Sequence, residues 1–303
     1  MLPKLFLGDI SRRLLGIKLT NWIAKFAIAR WVRFPGAWWA SQRAERAVDR
    51  ILSENFSERP SRSRGESENV VWQIWLQGWT NAPDIVRAIQ EHNDFMLPGF
   101  HFKRLSLQGA LKLVKIAPEI IDHFNSGRIS PAGLTDLLRL KIIAAYGGIW
   151  ADATVILTRA FSSFYRENKR FLLQSDYEIE TAKRWHFTVH NWLFSAEDND
   201  EFILLWGDAL EEMWRKNGQV EYFDAFYVAT ALQKRGTNPT NYLSRSASSS
   251  YLKGGISTFS SFLRVDSVGD AKALLSAHPF HKFSHKVEFS EEARVVEIIR
   301  LCG

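Results

Sequence analysis

The chain predicts an α/β domain with a largely parallel sheet, and three observations point to it. Through residues 70–200, short runs rich in β-branched and aromatic residues alternate with stretches of helical period. One segment, Ser130 to Thr158 (SPAGLTDLLRLKIIAAYGGIWADATVILT), reads in order as helix, glycine turn, strand and a carboxylate at the strand's end. A hydrophobic content of 46% with 24% charged residues is ordinary for a globular chain. The 303 residues suit one large domain, or a domain plus an arm.

Charge separates the arm from the body. Residues 1–68 hold thirteen Lys/Arg against seven Asp/Glu, and the other 235 residues hold twenty-six of each, so the net +6 belongs to the N-terminal part. A nucleic-acid groove in the body would be basic on its own account, so none is expected. Cys302 is the only cysteine; an internal disulfide cannot form, which is compatible with a reducing compartment.

Met1 to about Phe34 is apolar and basic together. Leu15, Leu19, Trp22, Ile23 and Phe26 form a helical stripe flanked by Lys18 and Lys25. No apolar run of about 20 residues, the length that spans a bilayer, occurs in it. The positive charges continue through the apolar region, unlike a signal peptide. Two readings fit: an in-plane helix of residues 1–40 on an anionic membrane surface, or a helix packed on the body or a partner. Arg43 to Leu52 continues as helix, and SERPSRSRGESEN within residues 53–69 is a polar linker. The expected division is an arm over 1–52, a linker over 53–69 and a domain over 70–303.

Val70 to Leu76 (VVWQIWL) reads as the first buried strand, and Gln77-Gly78-Trp79 turns out of it. Asn81 caps a helix from Pro83 to about Glu91. Phe100 to Leu105 is a second strand and Pro118 to Phe124 a short helix. In the central segment Ser130 is a good N-cap and Pro131 fits the first helical position. Leu137, Leu138, Leu140, Ile142 and Ile143 give a wide apolar face, and Gly147-Gly148 end the helix. Asp136 and Arg139, three apart, share a helix face; by spacing alone they could equally be a surface pair, and Asp152 a common strand terminator. Ligands of open α/β sheets sit at the carboxyl ends of the strands, where Asp152 falls.

Beyond it, Phe161 to Glu167 is helical, Arg170 to Gln174 a strand with a polar exit at Ser175–Glu178, and Phe187 to Phe194 another strand. His186 and His190 lie on one face of that strand, without a further ligand at metal-site spacing. Glu201 to Lys216 and Tyr222 to Leu232 are helices. Ser244 to Gly255 is a Ser/Gly-rich loop suited to a lid. His278 to Lys286 (HPFHKFSHK) is a basic segment, fit either for a plain surface loop or for an anionic group.

The run D-L-L-R-L-x₆-G-G-I-W-A-D-A-T from Asp136 to Thr154 resembles the signature of the DXD sugar-binding-region glycosyltransferases, and within them the capsular polysaccharide synthesis proteins. The resemblance covers roughly Val70 to Glu288. It implies a GT-A-like nucleotide-sugar fold with a mixed, mostly parallel sheet flanked by helices. It implies a glycosyltransferase moving a sugar from a nucleotide-sugar donor, a UDP-sugar foremost, to a glycan or lipid-linked glycan acceptor at the inner face of the cell membrane. Asp136, Arg139 and Asp152 are then the catalytic centre. Asp136 accepts hydrogen bonds from sugar hydroxyls, Arg139 lies near sugar and diphosphate, and Gly148 belongs to the donor site. Trp75, Gln77 and Trp79 line the base, to which an aromatic ring offers a stacking face; Trp75 fits a plain core role equally well. His281, Lys282, Ser284, His285 and Lys286 face the diphosphate. Asp176, Asn191 and Asp224 are acceptor-side candidates, Asp224 fitting an exposed helix position as readily. Mn²⁺ or Mg²⁺ on Asp152 and Thr154 would bridge the phosphates. Thr154 departs from the strict D-x-D pattern, and a hydroxyl is the weaker ligand. A sugar-nucleotide-binding protein without catalysis and a membrane-docking protein are the alternatives.

Overall fold

Among the described residues seven strands form two sheets. The larger has the order β2 (His101–Leu105), β1 (Val70–Ile74), β3 (Gly148–Ala151), β6 (Val189–Ala196) and β5 (Phe171–Gln174). β1 pairs in parallel with β2 and β3, while β6 runs antiparallel between β3 and β5. Four of the five strands therefore point one way, a mixed and mostly parallel sheet. The smaller sheet pairs β4 (Val155–Leu157) with β7 (Phe280–Lys282), antiparallel. This computed structural model describes residues 38–53, 69–174, 189–217, 220–237, 242, 251, 261–265, 267–285 and 289–303. The arm up to residue 37, most of the expected linker, the Ser/Gly-rich loop apart from Tyr251, and Asp176, His186 and Lys286 lie outside these residues.

The chain divides into two compact units, Met1–Arg43 and Ala44–Gly303. In the first, Trp38 and Trp39 are exposed and meet edge to face, 4.6 Å between centroids. Residues 38–53 are helical (α1). In the second unit, Ala44, Ala47 and Val48 are buried, Arg235 pairs with Glu45 and Asp49, and Arg50 pairs with Glu212. No helix among the described residues is long and apolar enough to cross a membrane.

Helices cover the large sheet. α2 (Asp84–Met96) extends a turn past the expected Glu91; α3 (Leu107–Leu113) and α4 (Pro118–Asn125) follow. α5 (Pro131–Tyr146) starts as its sequence dictates: the Ser130 hydroxyl accepts from Gly133 N at 3.1 Å, and Pro131 stands at the first position. Leu134, Leu137, Leu138, Leu140, Ile142 and Ile143 are fully buried, and the helix packs on α7 (Glu201–Asn217). Between these two helices the Lys141 ammonium bonds Asp208 and Glu211 at 2.8 and 2.5 Å. α6 (Ala160–Glu167), α8 (Asp224–Lys234), α9 (Val268–Ser276) and α10 (Phe289–Cys302) are the other longer helices among the described residues.

The turn from α5 into β3 depends on two glycines. Gly147 has φ +63° and Gly148 φ +96°, conformations that side chains with a Cβ rarely adopt. A Cβ on Gly147 would lie 2.7 Å from the Asp198 nitrogen, and one on Gly148 2.9 Å from the Val70 carbonyl. The Trp72 indole donates to the Gly147 carbonyl at 3.0 Å and ties the turn to β1.

Two buried amides on α2 fix the segment that follows β3. Gln90 donates to the Ala153 carbonyl at 2.8 Å. Asn93, fully buried, donates to the Val155 carbonyl and accepts from Leu157 N, both at 2.8 Å. Asn93 satisfies the edge of β4 that no described strand pairs, and Gln90 the turn just before it. Asn93→Ala strands two buried backbone groups, so a loss of about 2–4 kcal/mol is expected in urea unfolding. A change below about 0.5 kcal/mol would show that water replaces the amide.

Candidate functional site

The strand β3 delivers Asp152 to the sheet's edge. Its amide N–H donates to the Trp192 carbonyl at 2.8 Å, which continues the β3–β6 ladder by one bond. Val155 N then donates to the Asp152 carbonyl at 2.9 Å, closing a tight turn over Ala153 and Thr154. The chain leaves for the small sheet, where Val155 pairs with Lys282. Phe283 N reaches the Thr154 carbonyl at 2.9 Å, so the C-terminal segment is zipped directly against this turn.

Four charged side chains meet there. Arg139, buried on α5, reaches Asp136 at 3.0 Å and Asp152 Oδ1 at 3.2 Å through one nitrogen. Its other terminal nitrogen donates to the Asn191 carbonyl at 2.6 Å. Asn191 returns a bond from its amide to Asp136 Oδ1 at 3.0 Å. The Lys282 ammonium donates to Asp152 Oδ2 at 2.6 Å and to the Thr154 hydroxyl at 2.9 Å. The Trp150 indole donates to Asp152 Oδ1 at 2.9 Å and lies 5.1 Å below the Arg139 guanidinium. Asp136, Asp152 and Lys282 keep 16, 21 and 26% of their side-chain surface open to solvent.

The two carboxylates are driven apart. At Asp136 burial is the largest influence, and it outweighs the Arg139 guanidinium; with the Asp152 charge adding, the carboxyl is pushed up to about 6. At Asp152 burial also acts upward. Here the charges of Arg139 and Lys282, with bonds from Lys282 and Trp150, outweigh it and hold the carboxyl below the usual range. Asp152 is thus a fixed anion, and Asp136 is a group that titrates near neutrality.

A pH prediction follows for Asp136. Its folded value lies above the unfolded value of 3.8, so the folded state binds its proton more tightly. The stability this gives is present at low pH and is lost as pH rises from about 4 to about 6. Asp136→Asn removes that loss. Measured by urea unfolding, the variant gains on the wild type across this window by about 2–3 kcal/mol and then holds level. Parallel curves for the two proteins would contradict the raised value. The wild-type slope alone does not decide it, because His92, His190 and His281, each lowered to about 4 by burial, lose stability in the opposite direction, as pH falls from 6.5.

Of the residues expected at the site, Asp136, Arg139, Asp152, Thr154, Asn191 and Lys282 are brought together. Trp75 follows the end of β1, beside β3, is half-buried, and stands edge to face with His285 at 5.6 Å. Ser284 is half-buried and His285 exposed on the same C-terminal segment. The others stand elsewhere. His281 alternates to the opposite side of β7 from Lys282; it is fully buried, its Nε2 2.8 Å from the Leu275 carbonyl. Trp79 packs against the core and donates to the Leu105 carbonyl at 3.1 Å. Gln77 is exposed, and its carbonyl accepts from Asn81. Gly148 is buried in the sheet, its missing Cβ leaving room for the Val70 carbonyl and the Trp72 ring. Asp224, expected either as an acceptor-side group or as an exposed helix aspartate, is fully buried: one oxygen accepts from the Trp214 indole and from Glu221 N, both at 2.8 Å. Trp150, Trp192, Gln90 and Asn93 were not anticipated. The tryptophan in G-G-I-W-A-D was visible, but an indole two residues before an aspartate on a strand reads as core.

The expected metal position can be tested on these contacts. Asp152 Oδ1 is held by Arg139 and Trp150, and Oδ2 by Lys282, which also holds the Thr154 hydroxyl. Asp136 is turned to Arg139 and Asn191. Among the described residues no group of three His, Cys, Asp or Glu side chains could hold a metal ion. One carboxylate and one hydroxyl, already sharing an ammonium, do not fit a divalent ion held by the protein.

The mostly parallel α/β sheet thus carries a carboxylate–cation cluster at the ends of its strands, the place where open α/β sheets hold their ligands. Residues 40–299 match the family of capsular polysaccharide synthesis proteins, and the chain belongs to that family. The family name ties it to capsule biosynthesis. No curated protein matches the chain.

Proposed function

We propose that the protein is a glycosyltransferase of capsular polysaccharide assembly, moving a sugar from a nucleotide-sugar donor to a glycan or lipid-linked glycan acceptor. The observation that carries this reading is the cluster of Asp136, Arg139, Asp152 and Lys282 at the carboxyl ends of the parallel strands. Breaking the donor's C1–O bond leaves the electron pair on a diphosphate. The guanidinium of Arg139 and the ammonium of Lys282 are placed by Asp152 to receive that charge. Asp136, held by the buried Asn191 amide and still partly open to solvent, offers its carboxyl to sugar hydroxyls. The half-buried Trp75, one residue beyond β1, is the ring available for the base to stack on. Holding donor and acceptor in this geometry supplies the rest of the rate.

Calorimetry with UDP-, GDP- and other activated sugars tests the binding step. One donor class is expected to bind with a dissociation constant of about 10 μM to 1 mM. Binding of none would reject the reading. The basic arm places the enzyme at the inner face of the cell membrane, and the exposed Trp38 and Trp39 suit a headgroup layer. Flotation with anionic liposomes is expected to carry the full chain and not a chain lacking residues 1–40; equal behaviour of the two would reject membrane docking.

A further inference from the structure

We propose that the Lys282 ammonium takes the place of the divalent cation beside Asp152, so that this enzyme binds its donor's diphosphate without a metal. The inference rests on the sugar-nucleotide reading above and adds how that site neutralises its ligand.

Three contacts carry it. The ammonium sits between a carboxylate oxygen at 2.6 Å and a hydroxyl at 2.9 Å, the two side chains that the D-A-T turn would offer a metal. The backbone fixes it there. Lys282 is the last residue of β7, paired with Val155, and the next residue donates to the Thr154 carbonyl. Lys282 is therefore held by two strands on the turn that carries its partners, and its aliphatic stem brings the ammonium within 5.9 Å of the Trp192 ring. Finally, the position where D-x-D has a second carboxylate holds Thr154. One carboxylate binds a divalent ion poorly, but one carboxylate and one hydroxyl match an ammonium.

An ammonium has three N–H groups. Asp152 and Thr154 take two, and the third is left for a phosphate oxygen. During transfer the acceptor oxygen forms the new bond to C1 as the bond from C1 to the diphosphate breaks. The electron pair stays on the diphosphate, beside Lys282 and Arg139, and the acceptor's proton passes to solvent.

Two measurements test this on the full-length protein. The first titrates UDP and GDP calorimetrically in EDTA and in MnCl₂; the second follows MnCl₂ alone by electron paramagnetic resonance. The wild type is expected to bind its nucleoside diphosphate within about threefold under both conditions, and to hold no Mn²⁺ by itself. Lys282→Ala is expected to lose about 100-fold in affinity in EDTA, since a charge-assisted bond is removed. It should recover part of that in MnCl₂, because Asp152 and Thr154 are released. Lys282→Met, which keeps the stem, separates lost charge from lost packing and should behave like Lys282→Ala. Wild-type binding that vanishes in EDTA, or one tight Mn²⁺ on the wild type, would overturn the proposal while leaving the sugar-nucleotide reading intact. Absence of nucleotide binding under both conditions would instead overturn that reading, and with it this proposal.

Discussion

Asp152→Asn is expected to lower donor turnover at least about 10³-fold while the protein stays folded. The substitution keeps shape and removes one charge. That charge is shared: among the described residues it is the only anion that touches both Arg139 and Lys282. Without it, nothing aims the two cations at a common point, and electrostatic stabilisation of a leaving group depends on that aim. Effects of removing one member of such a centre run from about 10² to 10⁴. The fold tolerates the change because Arg139 keeps Asp136 and the Asn191 carbonyl, and Lys282 can turn to solvent. A stability loss of about 1–2 kcal/mol is expected. Turnover within tenfold of the wild type would remove Asp152 from the centre.

The second large effect is on stability. Gly147→Ala combines a left-handed φ with a Cβ that would lie 2.7 Å from a backbone nitrogen, which cannot rotate away. A left-handed residue with a side chain costs about 1–2 kcal/mol, and overpacking adds about 1–3. A loss of about 3 kcal/mol or more is expected in thermal or urea unfolding. Gly127→Ala is the internal control. Its φ is +75°, but nothing lies within 4 Å of the new Cβ, so only the conformational part remains, about 1 kcal/mol. Equal losses at the two positions would mean that the Asp198 backbone yields and that the turn is not rigidly packed.

That turn also shows what the sequence made legible. Ser130-Pro131 at one end and Gly147-Gly148 at the other bounded α5 because caps are local chemistry. Asp136, Arg139 and Asp152 could be read as a group because a helix face and a strand end are set by spacing of a few residues. Contacts across long stretches were not legible in that way. Asn191 joins Asp136 across 55 residues and Lys282 joins Asp152 across 130. Their presence in the site was expected through family likeness, not from spacing. His281 shows the limit of reading a segment by composition. HPFHKFSHK suggested a basic cluster, but three of its residues form β7, whose alternation turns His281 into the core and Lys282 toward Asp152. Asp224 looked like an exposed helix residue because its partner, the Trp214 indole, comes from another helix. α3 and β7 went unrecognised because Gly109 and a three-residue length leave little periodic signal. α9 and α10 were missed outside the half of the chain where strand and helix signals alternate.

The most direct test of the account is donor hydrolysis by the purified full-length protein and by Asp152→Asn, over a panel of UDP-, GDP- and other activated sugars, with released nucleoside diphosphate as the readout. The account predicts slow release from one donor by the wild type and none above background by the variant. Equal release by both proteins, or no release by a wild type that also binds no donor in calorimetry, would contradict it.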